Sequence, residues 1–343
     1  MKAARFHQHG PPSVLVWEDA PDPVLRPGHV RVGVRACALN HLDLFQRRGL
    51  ERVTIPLPHI SGADVAGEVL EAGEGVRDCR PGQRVMIQPG LSCGVCEACL
   101  SGRDNQCPFY DVLGYQSDGG YAEQVVVPAA NVIALPDHVP FVQAAAFPLT
   151  FLTAWHMVYA RARLVEGETV LVVAAGSGVG QAAVQIARHA GARVIATAGG
   201  DADLARAAAL GAGDVIDHYA DDVVARVRAL TGKRGVDVVV EHVGRATWDR
   251  SLRCLARGGR VVTCGATTGH ETALDLRHLF ARQLSLLGSY MGEKAELIRA
   301  AKLFVAGVFT PVVDRTFPMS DAGRAHEFLE SSRHFGKVVL VLD

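Results

Sequence analysis

The sequence predicts an α/β protein of two domains, a β-rich barrel-like unit followed by a doubly wound parallel sheet. A chain of 343 residues exceeds what one hydrophobic core comfortably serves, and so favours two domains. Up to about residue 130 the chain alternates short β-like runs with Pro/Gly turns, and from about 150 apolar strands alternate with helical patterns. The change from one sequence pattern to the other separates the two predicted units.

In the first stretch, turn signals such as RPG at 26–28 and at 80–82 bound the predicted strands. The strand-like segments are HVRVGVRACAL, ADVAGEVLEAG, QRVMIQ and YAEQVVV. In the second stretch the strands TVLVVAA, ARVIATAG, DVIDH, VDVVVEH, RVVTCGA and LSLLGSY are continuously apolar. Helical patterns, among them WDRSLRCLARGG over 248–259, separate them, which is typical of a parallel sheet covered on both faces. Two helices and the strand GKVVLVL close the chain.

Composition excludes several classes of function. The formal net charge of −1 argues against nucleic-acid partners, and no run approaches the ~20 apolar residues of a transmembrane helix. Since the opening MKAARFHQHG lacks a signal-peptide core, we expect a cytoplasmic protein that acts on a small molecule. Clustered cysteines in that compartment bind metal more often than they form disulfides.

Four cysteines lie within SCGVCEACLSGRDNQC, in the spacing C-x2-C-x2-C-x7-C. Cys93, Cys96, Cys99 and Cys107 therefore predict one tetrahedral zinc, structural because a closed Cys₄ site leaves no position for a substrate. An iron–sulfur cluster is the alternative for these ligands. A zinc ribbon that binds nucleic acid is disfavoured, because only Arg103 adds positive charge within the cluster.

The segment TVLVVAAGSGVGQAAVQIARHAGARVIATA is predicted to form a strand, a Gly-rich turn, a helix and a strand, the context of a dinucleotide site. Against the pattern G-x-G-x-x-G it has Ala175, Ser177 and Gly180, so only the third glycine is in register. We expect the pyrophosphate at the helix N-terminus. The residues predicted to approach it are Ser177, Gly178, Val179 and Gly180.

The end of the second strand favours NADP(H) over NAD(H). NAD enzymes place an acid there, whereas this strand ends in Thr197, Ala198 and Gly199, with no acid before Asp201. Arg206, one helical turn further on, is positioned to meet a 2′-phosphate, although a solvated helix residue is the alternative. NAD(H) is the alternative cofactor.

Several motifs in order give the chain a resemblance to the medium-chain dehydrogenase/reductase superfamily. They are N40-H-L-D43, S61-G-A-D-V-A-G67, the four-cysteine lobe, L152-T-A-W155, AAGSGVG and G336-K-V-V-L340. The resemblance implies a GroES-like β-barrel catalytic domain from residues 1–149 and 289–343, and a Rossmann domain over 150–288. It also implies a homodimer or homotetramer in which the edge strand LSLLGSY pairs with a second subunit.

The same resemblance locates the catalytic zinc ligands of the family, and all three are replaced. The positions hold Asn40, Ala63 in place of the histidine of G-H-E, and Pro148, whereas catalytic zinc takes three protein ligands. N-H-x-D with G-x-D-x-A-G instead resembles the quinone and enone reductase branch. The expected catalytic residues are Asn40, His41, Asp43 and Asp64, with the two acids expected to support the site.

Further cofactor contacts follow from the resemblance, at the carboxyl ends of strands or in the closing loop. They are Thr153, Tyr219, Val243, Gly244, Cys264, Gly265, Ala266, Ser289 and Lys337.

The leading hypothesis is an NAD(P)H-dependent oxidoreductase that transfers a hydride to or from a small quinone, enone or carbonyl compound without catalytic zinc. Zinc-type alcohol dehydrogenase activity is the first alternative. An NADPH-binding sensor or structural protein with little turnover is the second.

Overall fold

The computed structural model describes residues 1–50 and 53–342 and divides into two compact units. Unit 1 combines Met1–Leu149 with Glu293–Asp343, and unit 2 is Thr150–Gly292. Residues 289–292, which the sequence analysis assigned to the first domain, thus belong to unit 2. The backbone gives the reason, since the N–H of Ser289 still donates to the carbonyl of Thr263, 2.8 Å away, within the second unit.

Within the described residues, unit 1 begins with ten strands and three α-helices. The strands are β1 (Lys2–Phe6), β2 (Val16–Asp19), β3 (His29–Ala38), β4 (His59–Ile60), β5 (Asp64–Ala72), β6 (Arg84–Ile87), β7 (Gly90–Leu91), β8 (Asp111–Val112), β9 (Gln124–Pro128) and β10 (Val132–Ala134). The helices are α1 (His41–Arg48), α2 (Glu97–Leu100) and α3 (Phe141–Ala145).

A chain segment with α4 (Pro148–Trp155) leads into unit 2, which alternates strands and helices. A π-helical turn over His156–Arg161 follows α4. The remaining elements are β11 (Thr169–Val172), α5 (Gly178–His189), β12 (Arg193–Ala198), α6 (Gly200–Ala209), β13 (Asp214–Asp217), α7 (Val223–Leu230), β14 (Val236–Glu241), α8 (Trp248–Cys254), β15 (Leu255–Thr263), α9 (Leu276–Ala281) and β16 (Ser285–Gly288).

The chain then returns to unit 1 and completes its main sheet. The returning elements are α10 (Lys294–Val305), β17 (Val313–Pro318), α11 (Ala322–Glu330) and β18 (Lys337–Val341). The strand order is β10-β6-β5-β3-β18-β17, and β9 pairs with the first half of β3. Along β3, Val30, Val32 and Val34 are buried and alternate with more exposed neighbours, as expected of a strand with one face on the core.

The six strands of unit 2 form one parallel sheet in the order β13-β12-β11-β14-β15-β16. The strand order reverses beside β11, which makes the adjoining carboxyl ends of β11 and β14 the place where open α/β sheets bind ligands. The α/β fold with a doubly wound sheet is therefore confirmed. β16 lies at the sheet edge, as predicted for LSLLGSY.

One predicted helix is too long. The helical pattern was extended through residue 259, but α8 ends at Cys254 and β15 begins at Leu255. Leu255 pairs with Val236 of β14, and a shift of register then brings Arg260 opposite Val238. Gly258 sits in this irregular stretch with φ of 75°, a left-handed conformation that glycine adopts without strain.

None of the helices in the described residues combines the length and apolar character that crossing a bilayer requires.

Candidate functional site

Three strands of unit 1 bring distant polar residues together. β3 pairs with both β5 and β18, so that Ala38 lies opposite Asp64 on one side and Val339 on the other. Asn40 follows β3 by two residues, Asp64 opens β5 and Lys337 opens β18. The pairing register therefore places at one spot three side chains that are up to 297 residues apart in the chain.

The three side chains form a closed hydrogen-bonded group, which we call the Asn40 triad (Asn40, Asp64 and Lys337). Lys337 Nζ donates to Asn40 Oδ1 at 2.6 Å and to Asp64 Oδ2 at 3.0 Å. Asn40 Nδ2 donates to the same Asp64 Oδ2, also at 3.0 Å. All three residues are buried, with Lys337 2% and Asp64 0% exposed. The ammonium of Lys337 and the carboxylate of Asp64 are in direct contact, so that each balances the charge of the other.

Asp43 lies beside the triad in α1 and ends a chain of buried hydrogen bonds. Its Oδ2 accepts from the N–H of Asn40 at 2.8 Å and from the hydroxyl of Tyr121 at 2.9 Å. His326 Nε2 lies 3.2 Å from that hydroxyl, and Arg47 donates to His326 Nδ1 at 3.2 Å. Because Arg47 can only donate, Nδ1 accepts, and the proton of His326 is on Nε2.

Burial determines the charge states of Asp43 and His326 in this series of hydrogen bonds. It raises the pKa of Asp43 to about 6, with the hydrogen bonds from Asn40 and Tyr121 opposing the rise. Burial, reinforced by Arg47 and Arg48, lowers the pKa of His326 to about 3, so that the imidazole is neutral. Asp43 receives both of these hydrogen bonds from protein groups, and its supporting role in the site stays a prediction.

The positions that the family resemblance assigns to catalytic zinc ligands offer little to a metal. Ala63 is fully buried and has no donor atom, and Pro148 opens α4. Asn40 Oδ1 already accepts from the Lys337 ammonium. His41, the first residue of α1, is half-buried, and its ring centre lies 6.4 Å from that of His334.

The sulfur atoms of the four lobe cysteines lie close enough together to bind one metal ion. Their sulfur atoms all lie within 4.8 Å of one another, and Cys93 Sγ is 3.9 Å from Cys99 Sγ. A zinc ion with sulfurs at ~2.3 Å has them about 3.8 Å apart, so the lobe fits tetrahedral zinc. Hydrogen bonds from the backbone N–H groups of Val95 and Cys96 lower the pKa of Cys93 to about 6, whereas burial and the neighbouring thiols raise the pKa of Cys96 to about 11.

In unit 2 the turn after β11 has the form of a nucleotide-binding turn. Ser177 caps α5 by accepting from the N–H of Gly180 at 2.8 Å, and Gly178 and Val179 form the first turn, whose N–H groups lack acceptors within the helix. A Cβ on Gly180 would lie 2.2 Å from the carbonyl oxygen of Ala174. The third glycine is thus needed for close helix–strand packing, while the first two positions tolerate alanine and serine.

Two buried hydroxyl oxygens suit a polar ligand in unit 2. Thr153 Oγ1 and Ser289 Oγ, both predicted cofactor contacts, have no hydrogen-bond partner among the described residues. Unpartnered buried hydroxyls are costly, so an occupant that bonds them is favoured. Since the strands are parallel, the other predicted contacts at their carboxyl ends line the same sheet edge: Thr197, Ala198, Gly199, Tyr219, Val243, Gly244, Cys264, Gly265 and Ala266.

Some residues that were predicted to bind the cofactor contact other protein groups or are exposed. Lys337 lies in unit 1 and bonds Asn40 and Asp64. Arg206 lies 3.7 Å from Asp203 on the exposed face of α6, and the hydroxyl of Thr197 accepts from the N–H of Ala174 at 2.9 Å. Tyr219 is 85% exposed. Their cofactor contacts stay predictions.

Sequence reasoning missed two residues at the end of β14. His242 Nε2 lies 2.9 Å from the carbonyl of Val173 and 3.1 Å from Ser177 Oγ, and burial lowers its pKa, so the ring is neutral and supports the turn. Glu241 is fully buried and accepts from the N–H groups of His242 and Val243 at 2.8 and 2.7 Å. The dipeptide Glu241-His242 after a buried strand was the available signal.

Comparisons with known proteins find matches for both units of the chain. The family described as "Alcohol dehydrogenase GroES-like domain" matches residues 26–137, and "Zinc-binding dehydrogenase" matches 178–306. Quinone oxidoreductase of Rattus norvegicus is 30% identical over 350 residues, covering 100% of this chain and 98% of that protein. Acryloyl-coenzyme A reductase of Metallosphaera sedula is 31% identical over 328 residues, covering 93% and 94%. A solved structure described as an NAD-dependent alcohol dehydrogenase is 47% identical, with a TM-score of 0.97 and full coverage of both chains.

Proposed function

The chain belongs to the medium-chain dehydrogenase/reductase superfamily of NAD(P)-dependent oxidoreductases, and we propose that this protein transfers a hydride to a small quinone, enone or related carbonyl compound without a catalytic zinc. The names of the rat and Metallosphaera relatives, a quinone and an acryloyl thioester reductase, point to conjugated acceptors.

The observation that carries the proposal is the ammonium group of Lys337 within the Asn40 triad. It lies 2.6 Å from Asn40 Oδ1 and 3.0 Å from Asp64 Oδ2, two oxygen atoms at this position that could otherwise serve as metal ligands. A dication would meet a buried positive charge at short range, and Ala63 and Pro148 supply no third ligand. The donor set therefore supports chemistry in which no metal polarises the acceptor.

A conjugated acceptor needs less activation than an isolated carbonyl, because hydride adds to a carbon that is already polarised through the π system. Bound NAD(P)H supplies the hydride, and the carbonyl oxygen gains negative charge as the hydride is transferred. Hydrogen-bond donors placed at that oxygen stabilise the transition state. Asn40 and His41 are the proposed donors, and a proton completes the reduction.

We propose NADP(H) as the preferred cofactor. β12 ends at Ala198 with no carboxylate for the ribose hydroxyls, and the acid of the next strand, Asp217, already accepts from the N–H groups of Gly200 and Tyr219 at 3.2 and 2.8 Å. A ratio of kcat/KM for NADPH over NADH above ten is expected. A ratio below one would transfer the assignment to NAD(H).

Alcohol dehydrogenase activity is the second candidate, favoured by the 47% identity to a structure described as an NAD-dependent alcohol dehydrogenase. A panel of quinones, α,β-unsaturated ketones, saturated aldehydes and alcohols, each with NADPH or NADP⁺ and with NADH or NAD⁺, separates the two. We expect turnover of quinones or enones, with alcohol oxidation at least a hundredfold slower in kcat/KM. Faster alcohol oxidation, with a second zinc per chain, would select the alternative.

The chain is also proposed to form a homodimer or homotetramer through the exposed edge of β16, since an unpaired edge strand readily accepts another strand. Light scattering on the purified protein measures this directly. The use of cysteines as a metal cluster supports a reducing, cytoplasmic location.

A further inference from the structure

Lys337 was predicted to bind the cofactor, and its surroundings suggest another role. The lysine begins β18, its backbone N–H donates to the carbonyl of Val312 at 2.8 Å, and its side chain runs inward to the Asn40 triad. With 2% of its surface exposed, its ammonium group is engaged by Asn40 and Asp64. A buried lysine persists only where its charge is compensated, and here Asp64 compensates it.

The second carboxylate oxygen of Asp64 is also occupied. Asp64 Oδ1 accepts from the backbone N–H of Leu149 at 2.8 Å, while Oδ2 accepts from both Asn40 Nδ2 and Lys337 Nζ. The carboxylate is therefore held at both ends and serves as a fixed acceptor. Its position is set by the backbone of β5 and by the start of α4.

Donor and acceptor chemistry leaves one orientation for the Asn40 amide. A lysine ammonium can only donate, so the amide oxygen must face Lys337, and a carboxylate can only accept, so the amide nitrogen must face Asp64. Rotating the amide by half a turn would set N–H against ammonium and oxygen against carboxylate. One N–H of Nδ2 is used by Asp64, and the second has no partner among the described residues.

We propose that Lys337 is a positioning residue that locks the Asn40 amide so that its second N–H is presented to the carbonyl oxygen of the hydride acceptor. This inference rests on the proposed function. The charge of Lys337 also polarises the amide, because a donor to Oδ1 strengthens the hydrogen bonds that Nδ2 donates. In place of a metal that binds the substrate oxygen, the site uses an amide whose direction is fixed by an ammonium behind it.

The test is a double-mutant cycle of Lys337→Met and Asn40→Ala in the full chain, read as kcat/KM for the best quinone or enone substrate. Lys337→Met alone is expected to lower kcat/KM by about 30- to 100-fold. In the Asn40→Ala background the same change should cost less than threefold, since there is no amide left to orient. Equal losses in both backgrounds would overturn the proposal.

Cofactor affinity distinguishes positioning from cofactor binding. The Kd of NADPH, measured by fluorescence titration, should change less than twofold in Lys337→Met, whereas a tenfold weaker Kd with unchanged kcat would overturn the positioning role. Lys294→Met is the matched control, because Lys294 also donates to an asparagine oxygen, Asn131 Oδ1 at 3.1 Å, within the same unit. It should leave kcat/KM unchanged.

Since Lys337→Met leaves the carboxylate of Asp64 buried without its counter-charge, the variant Asp64→Asn/Lys337→Met removes both charges together. If this variant folds like the wild type by circular dichroism and keeps the loss in kcat/KM, the positioning role is supported. Full recovery of kcat/KM in the double variant would overturn it.

A readout independent of substrate separates this inference from the proposed function. With ¹⁵N-labelled asparagine, the Asn40 side-chain signals are identified by their loss in Asn40→Ala. One proton, bonded to Asp64, should exchange slowly with solvent, and Lys337→Met should speed that exchange at least tenfold. Unchanged exchange would overturn the locking of the amide even if quinones are reduced, and a tenfold change would support it even if no quinone or enone is a substrate.

Discussion

Two sites within unit 1, the cysteine lobe and the Asn40 triad, hold clusters of ionisable side chains in different ways. The lobe keeps four thiol ligands within 4.8 Å of one another and fits a metal ion. The triad lies at a position that the family resemblance assigns to a catalytic zinc ligand, and there the ammonium of Lys337 balances the carboxylate of Asp64. On the proposed function, unit 1 keeps one metal site and has an ion pair in place of a second, with each buried charge held by a partner.

Hydrogen bonds also connect the lobe to other parts of unit 1. The backbone N–H of Lys294, at the start of α10, donates to Asp104 Oδ1 in the lobe at 3.0 Å, and its ammonium reaches Asn131. Damage to the lobe should therefore be expressed as lost stability, and damage to the triad as lost turnover. Four predictions test this division, in order of decreasing effect.

The largest effect is expected for Cys99→Ser, which removes one of the four ligands. Zinc content should fall from one per chain to below about 0.1, and the lobe should lose binding free energy that is on the order of 10 kcal/mol in small structural zinc sites. Elemental analysis and limited proteolysis within residues 93–107 measure both. Cys79→Ser, outside the cluster, is the control and should keep its zinc.

At 25 °C the folded fraction of Cys99→Ser should keep kcat/KM within about fivefold of the wild type, because a closed Cys₄ site offers no position to a substrate. Complete loss of turnover in a variant that is still folded would break the division between the two sites.

Asn40→Ala should have the next largest effect, on turnover and not on zinc content. Loss of one donor to a developing oxyanion typically costs about 10²–10³ in kcat, so we expect kcat/KM to fall by about a hundredfold. Zinc content should stay at one per chain. Zinc loss in this variant would show that Asn40 contributes to a metal site after all.

Asp43→Asn should change how stability depends on pH. Burial raises the pKa of Asp43 from an ordinary value of 3.8 to about 6, so the folded protein holds this proton more tightly than the unfolded chain does. Its contribution to stability is present below about pH 4 and is lost as the pH rises to about 6, by about 3 kcal/mol. The amide that replaces the carboxyl group in the variant does not titrate.

Urea denaturation of wild type and variant between pH 4 and pH 7 measures this difference. The difference in unfolding free energy between the two proteins should shift by about 3 kcal/mol across that window, in favour of Asp43→Asn as the pH rises. A constant difference would show that Asp43 titrates alike in the folded and unfolded states.

Lys294→Met should have the smallest effect. It removes one hydrogen bond to Asn131, worth about 1 kcal/mol, and Lys294 makes no hydrogen bond to the Asn40 triad among the described residues. A small fall in the urea midpoint with unchanged kcat/KM is expected. A loss of turnover as large as that of Lys337→Met would remove the distinction between the two lysines.

The sequence allowed a prediction of those features that depend on local spacing. The cysteine ligands lie within 15 residues, and their spacing alone indicates the cluster that the structure assembles. The parallel sheet followed from continuously apolar strands separated by helices. The helix limit at Cys254 was missed because the apolar period continues into β15, where pairing with Val236 decides the outcome.

The Asn40 triad could not be predicted from the spacing of residues along the sequence. Lys337 and Asp64 are 273 residues apart, and only the pairing of β3 with both β5 and β18 brings them into contact. A motif places Lys337 in a closing loop, but the partner of a buried ammonium group depends on which carboxylate the fold sets opposite it. The same holds for Tyr121 and His326 beside Asp43, which no motif marked.

Zinc can be located in crystals of the purified protein by anomalous diffraction at the zinc edge, and this experiment decides between one metal site and two. We predict a single peak per chain, surrounded by Cys93, Cys96, Cys99 and Cys107, with none beside Asn40, Asp64 and Lys337. A second peak of comparable height within coordination distance of Asn40 or Asp64 would contradict the replacement of the catalytic metal by an ion pair.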